Sequence, residues 1–348
     1  MKSGKAPRRA SIVQVAELAG VSIKTVSRVT NREPNVRPEV RQRVQDAIQK
    51  LGYHPMQSAR GLAARRSRLL GLVYDNPSPS YLIRVQHAAR QCCEEYGMRL
   101  LLHPCDHTSP DLAEELVRLS SHLRLEGLVL VPPVSHHAGV IEALVAARVE
   151  VALLAPARVP RGTCAVQIDD EHAAEVLTTH LVELGHRHIG FVRGHPDHEA
   201  THARLAGHRR AMRRAGLRVP ETLVVDGDFT FDSGRRAGAS LLDRHARLTA
   251  IVASNDDMAA GVIAAAHDRG LAVPAALAVC GFDDTPLASM TWPPLTTMHE
   301  PIMELAETAT RMLIRRIRGE RAAPAAPDLQ CQLIVRESSA APRAQGKR

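Results

Sequence analysis

The chain has 348 residues, too many for one compact core, and its 45% hydrophobic share suits globular domains. No uninterrupted apolar run reaches membrane-spanning length: the longest candidate, Ile141 to Ala155, is broken by Glu142, Arg148 and Glu150. The net charge of +8 is unevenly spread, because residues 1–68 hold 15 Lys/Arg against 4 Asp/Glu while the remainder is slightly acidic. A polyanion partner is therefore expected to dock on the first fifth of the chain, with an affinity that falls as salt rises.

Residues 1–10, MKSGKAPRRA, read as a basic disordered arm; no apolar segment follows that would make them a secretory signal. Ser11 to Asn31 then reads as two short helices joined by a tight turn. Ile12, Val15, Ala16 and Ala19 recur at helical spacing, Gly20 suits a helix C-terminus, and Ser22 stands where an N-cap oxygen would start the next helix. Val26 and Val29 supply the buried side of that second helix, and Lys24, Thr25, Ser27 and Arg28 its donor-rich face. The pattern predicts a helix-turn-helix whose second helix enters the major groove of DNA. The plainer alternative is a helical hairpin with a solvated basic face. Arg28 is the candidate for a guanine contact, since bidentate Arg–G pairing is the commonest specific contact.

Pro38-Glu39 opens a third helix to about Leu51, with Val40, Val44, Ala47, Ile48 and Leu51 as its inner stripe. The helical head thus covers residues 11–55, and 56–68 form a linker that is helix-compatible but has no core of its own.

From Leu69 the texture changes. Strand candidates are LLGLVY, RLLLHP, LEGLVLVP, VEVALLA, AVQI, HIGFV, TLVVDG, TAIVAS and LAVCGF, with helical stretches near 81–96, 110–122, 139–147, 171–184, 201–215, 233–245 and 257–269. This β-α alternation predicts parallel sheets with helices on both faces, too many strands for one small sheet. Ligands of such folds bind beyond the carboxyl ends of the strands. Asp75 and Asn76, Asn255 and Asp256, and Asp283 and Asp284 fall there, and Arg204 opens a helix after HIGFVRG. Asp256 is also read as the cap of the helix beginning DMAAG, and Asp284 stays ambiguous.

AELAGVSIKTVSRVTN resembles the opening motif of the lactose-repressor (LacI/GalR) family of bacterial transcription regulators. The resemblance continues through NVRPEVRQRVQDAIQKLGYHP, SARGLAARRSRLLGLV, RLAGHRRAM, GDFTFDSG, ASNDDMAAG, GFDDTPLA, PPLTT and LIVRESS. It implies an all-α helix-turn-helix head and a periplasmic-binding-protein-like α/β body of two Rossmann-like lobes. On this reading lobe 1 spans 69–168 with about 298–328, lobe 2 spans 169–297 with about 329–337, and 338–348 form a disordered tail.

The resemblance also implies functional residues. In the head, Ile23 and Lys24 occupy positions that set operator preference in the family; Thr25, Ser27 and Asn31 are read from their chemistry as positioning the helix on phosphates. The linker matches a hinge helix in which Leu62 wedges into the minor groove, with Ala59 beside it and Arg60 reaching phosphates. In the cleft, Arg204, Asn255 and Asp283 would hydrogen-bond a small-molecule effector, a sugar or glycoside, with Phe229 packing on it. Ser80 and Tyr81, in DNPSPSYL, are read as facing the cleft from lobe 1. Two departures stand out: Arg37 precedes the helix-opening proline where the family has Ser or Thr, and Ala155-Pro156-Ala157 replaces an Asp-Arg pair.

The expected protein is a cytoplasmic homodimer that binds pseudopalindromic double-stranded operator DNA as a repressor under effector control. No cofactor, metal or membrane partner is expected. His195, His198 and His202 read as effector contacts or a solvated loop ahead of a zinc site, and the six cysteines as reduced thiols. An enzyme would need paired carboxylates, for which Asp75 with Asp283 is the conceivable pair; a secreted solute-binding protein would need an export signal and no basic head.

Overall fold

The structure, a computed structural model, describes residues 10–30, 36–53, 67–156, 158–320 and 329–342. The chain divides into two units, Met1–Ser67 and Arg68–Arg348.

In the first unit, α1 (Ile12–Ala19) begins with a capping box. Ser11 Oγ accepts from the Gln14 N–H, and Gln14 Oε1 accepts from the Ser11 N–H. Gly20 closes the helix at φ +62°, a left-handed conformation that costs a residue without Cβ little. Ser22 Oγ then accepts the Thr25 N–H at 3.2 Å and starts α2 (Ile23–Thr30). In α3 (Pro38–Leu51), Arg37 supplies no side-chain cap, the price of replacing a hydroxyl with a guanidinium, and Pro38 alone presets the first turn. Val15, Ala16, Ala19, Val26, Val29, Val44, Ala47 and Tyr53 make the small core.

The second unit holds two sheets. The first contains β1 (Leu69–Tyr74), β2 (Arg99–Pro104), β3 (Gly127–Leu130), β4 (Val151–Leu154) and β5 (Cys164–Val166), all parallel, in the order β2-β1-β3-β4-β5. One face is covered by α4 (Pro79–Glu95), the other by α5 (Leu112–Leu123) and α6 (Ala138–Ala146). The second sheet contains β6 (Ile189–Arg193), β7 (Val224–Asp226), β8 (Ala250–Ala253), β9 (Ala278–Asp283), β10 (Thr296–His299) and β11 (Gln332–Ile334). Their order is β11-β10-β9-β8-β6-β7, with β11 alone antiparallel. On its faces lie α7 (Asp170–Glu183) with α8 (Glu199–Arg214), and α9 (Phe231–Arg244) with α10 (Asp256–His267). The last two cross at paired glycines: a Cβ on Gly234 would stand 2.2 Å from the Met258 carbonyl, and one on Gly261 2.2 Å from the Phe231 carbonyl.

A short α11 (Pro286–Met290) follows β9. After β10 the chain returns to the first sheet as α12 (Ile302–Ile317), which packs beside α4, and β11 then rejoins the second sheet. Met298 lies within β10, so the return follows His299.

The segment after Val335 departs from the expected disordered tail. Ser338 is fully buried: its N–H donates to the Pro294 carbonyl, its Oγ donates to the Val279 carbonyl, and the Thr296 N–H donates to that Oγ. Ala340 O accepts from His186 Nε2. The Ser338 hydroxyl thus links β9 and β10 through Val279 and Thr296, which an apolar-content argument does not register. Residues 343–348 lie outside the described residues. All six cysteines are free thiols, buried or half-buried.

Candidate functional site

On α2 the apolar residues Val26 and Val29 face inward, leaving Lys24 and Arg28 exposed and Thr25 and Ser27 half-buried. Ile23 is 49% exposed at the helix start, an apolar side chain beside donors. Ser22 and Thr25 hydroxyls meet at 2.9 Å, which fixes the first turn. Asn31, Ala59, Arg60 and Leu62 lie outside the described residues.

Between the lobes lies a cavity of about 220 Å³. It is bordered by the ends of strands of both sheets and by the first turns of α7, α8 and α10. Its floor is organised by Arg204. Nε donates to Asp170 at 2.7 Å, Nη2 to Glu300 at 2.9 Å and Nη1 to the Ser254 carbonyl; Nη1 also lies 3.5 Å from Asp283. The guanidinium stacks 3.7 Å from the Phe282 ring centroid. Burial pushes the Asp283 and Glu300 carboxyls up, and Arg204 pulls them back down. Tyr81 is also buried, and desolvation, with Glu300, Asp283 and Asp170 nearby, raises its phenol well above the ordinary range. It remains a neutral donor.

The backbone is strained where it aims side chains into this space. Asp283 ends β9 at φ +97° and Phe229 sits at φ +68°, a region costly for residues with a Cβ. Phe229 packs edge-on to His198, with centroids 5.1 Å apart. Burial holds His198 near a pKa of about 3, so its imidazole is neutral. Across the cavity His136 Nε2 donates to the Ala155 carbonyl at 2.8 Å, and its Nδ1 is buried without a hydrogen-bond partner among the described residues.

Of the residues expected in the cleft, Tyr81, Arg204, Phe229, Asn255 and Asp283 line the cavity; Ser80 does not. Ser78 takes that place. It is the N-cap of α4 and Pro79 opens the helix, so Ser80 is already carried round the helical turn. Capping also falls one residue early at α10. Asn255 Oδ1 accepts the Met258 N–H while Nδ2 donates to the Phe229 carbonyl, so Asn255 holds both helix and ring in place. Asp256, expected as that cap, is fully buried and accepts from the Thr285 N–H and Oγ1 and from Thr297 Oγ1, tying α10 to β10. Asp284 turns away to His299 and Arg336. Glu300, Asp170 and His136 were missed. Glu300 follows β10 directly, so the strand-end rule would have found it had β10 been recognised.

The profile of the LacI family of bacterial regulatory proteins matches residues 11–56, and that of the periplasmic binding protein-like domain matches residues 178–339. Catabolite control protein A of Priestia megaterium is 33% identical over 334 residues, covering 94% of this chain and 99% of that protein. The chain belongs to the LacI family. Within the family it is also 34% identical to the ribose operon repressor of Escherichia coli over 309 residues, 88% of this chain and 93% of the repressor. Among solved members, the Lac repressor dimer bound to operator and the anti-inducer ONPF superposes with a TM-score of 0.85 at 26% identity. That match covers 96% of this chain and 100% of the repressor chain. The regulator CelR in complex with cellobiose gives 0.72 at 32% identity, with coverages of 95% and 100%. A LacI-family chain with a helix-turn-helix head and a two-lobed α/β body is a DNA-binding transcription regulator. Among the described residues no helix is long and apolar enough to cross a membrane.

Proposed function

We propose that this protein is a cytoplasmic, homodimeric repressor, not an enzyme, whose affinity for a pseudopalindromic operator is set by a sugar or glycoside bound between the lobes. The observation that carries the reading is one chain holding both a donor-faced second helix, with Lys24 and Arg28 exposed on it, and a polar interlobe cavity floored by Arg204 and Asp283.

Each subunit presents α2 to one major groove. Arg28 reads guanine, Ile23 and Lys24 set operator preference, and Thr25, Ser27 and Asn31 hold the helix on phosphates. Ala59, Arg60 and Leu62 engage the minor groove at the dyad. Tyr81, Arg204, Phe229, Asn255 and Asp283 contact the effector, with Ser78 in place of Ser80. The coupling is a free energy shared by both sites, so operator DNA changes effector affinity by the factor that effector changes DNA affinity. Asp75, the conceivable hydrolase partner of Asp283, is engaged by His107 and is not among the residues lining the cavity.

The test is footprinting of the full chain on its own promoter region with and without a panel of sugars. A protected palindrome whose occupancy changes with one sugar supports the reading. Equal binding to random duplex, unaffected by any sugar, overturns it.

A further inference from the structure

Arg204 is the only cationic side chain among the described residues lining the cavity, apart from histidines. Three of its five N–H groups already donate to Asp170, Glu300 and the Ser254 carbonyl, one on each nitrogen, and Phe282 covers one face. No free guanidinium fork is left to grip a phosphate or carboxylate. The lining instead carries Asp169, Asp170, Glu171, Glu199, Asp283 and Glu300.

Some of these acids have structural partners. Glu171 pairs with Arg210, and Asp169 caps α7. Among the described residues the Asp283 carboxylate has Arg204, at 3.5 Å, as its one ionic partner, and Glu199 is exposed at the mouth. Behind the floor, Arg84 reaches the Asp283 backbone carbonyl at 2.9 Å, while Asp256 and Asp257 add negative charge. Four helix N-termini border the space, a feature that ordinarily favours anions; α4 has no acid in its first turn, but the first turns of α7, α8 and α10 carry their own: Asp170, Glu171, Glu199, Asp256 and Asp257.

Taking the cavity as the effector site, as proposed above, we infer that it selects a polyhydroxylated ligand bearing a protonated amine and no anionic group. The Asp283 carboxylate stands 3.5 Å from Arg204, longer than an ordinary hydrogen bond, so it is placed to accept from a ligand ammonium group. His198 stays neutral and offers no repulsion. The Phe229 ring covers the C–H face of a sugar ring, while Tyr81 and His136 remain to pair with hydroxyls.

The experiment is titration calorimetry and thermal shift on the full chain with glucose, galactose and mannose, each as the neutral sugar, the 2-amino-2-deoxy sugar, the 6-phosphate and the uronate. The amine form of the recognised sugar is expected to bind about tenfold tighter than the neutral form, with no shift from the phosphate or uronate. Glu300→Gln is expected to reduce that amine preference. A phosphate or uronate that binds as tightly as its neutral parent, or an amine that gains nothing over it, overturns the inference while leaving the carbohydrate reading intact. Failure of every sugar form overturns that reading and the inference with it.

Discussion

Nε2 of His107 lies 3.0 Å from the carboxylate of Asp197, a contact that joins the first lobe to the second. Its Nδ1 lies 2.6 Å from Asp75 on its own lobe. Only imidazolium donates from both ring nitrogens, so an imidazole held between two carboxylates is complementary to them when charged. Burial works against that charge, but the hydrogen bonds to Asp197 and Asp75 outweigh it and hold His107 above the ordinary histidine value. Two further contacts span the cleft: Ser78 Oγ to Asp257 at 3.3 Å and Arg84 to the Asp283 carbonyl at 2.9 Å.

The histidine bridge has a pH signature. A raised folded-state pKa means the stabilising contribution is complete below the ordinary histidine value of 6.5 and is lost as pH rises through the folded value. His107→Gln is therefore expected to lower the thermal midpoint more at pH 6 than at pH 9. Equal losses at both would show that protonation plays no part.

Arg204→Ala leaves Asp170, Asp283 and Glu300 around a missing guanidinium, and breaking a buried ionic cluster from one side costs about 3–5 kcal/mol. Asp283 and Glu300 already have raised pKa values, and removing Arg204 raises them further, so at low pH they become neutral and tolerate the loss. Urea unfolding should show a larger deficit at pH 10 than at pH 7, because the difference accrues as pH rises through the wild-type values of about 8. A pH-independent deficit would place the cost in packing instead.

Gly194 is where Phe229 needs space: a Cβ there would lie 2.0 Å from the ring. Gly194→Ala displaces the ring from the cavity and costs about 1–3 kcal/mol by overpacking. Sugar affinity should fall while operator binding without sugar persists, as measured by calorimetry and gel shift. Unchanged sugar affinity would remove Phe229 from the site.

In the head, Arg28→Ala is expected to cost about 1–3 kcal/mol on the operator and to relax one base position. Competition against single-base operator variants reads this directly. A uniform loss across all sequences would make Arg28 a phosphate contact.

Much of the arrangement is legible in the sequence. Ser11, Gly20 and Ser22 determine the head through local hydrogen bonds and one left-handed turn, which act within a few residues. Strands β1, β3, β4, β6, β8 and β9 announce themselves as apolar runs because both faces of a parallel sheet are covered there. TTMH does not, since Thr296 and Thr297 are polar yet fully buried, their hydroxyls paired with Ser339 and Asp256. That hid β10, and with it Glu300.

What the sequence determined alone was segregation and periodicity: a cationic helical head, an alternating α/β body, and strand ends bearing polar residues. Only tertiary structure decided which of those residues share a cavity. Arg204 meets Asp170, 34 positions away, and Glu300, 96 positions away, and His107 meets Asp197 at 90. Such encounters depend on chain crossings between lobes, and local propensity carries no information about partners brought together by a crossing.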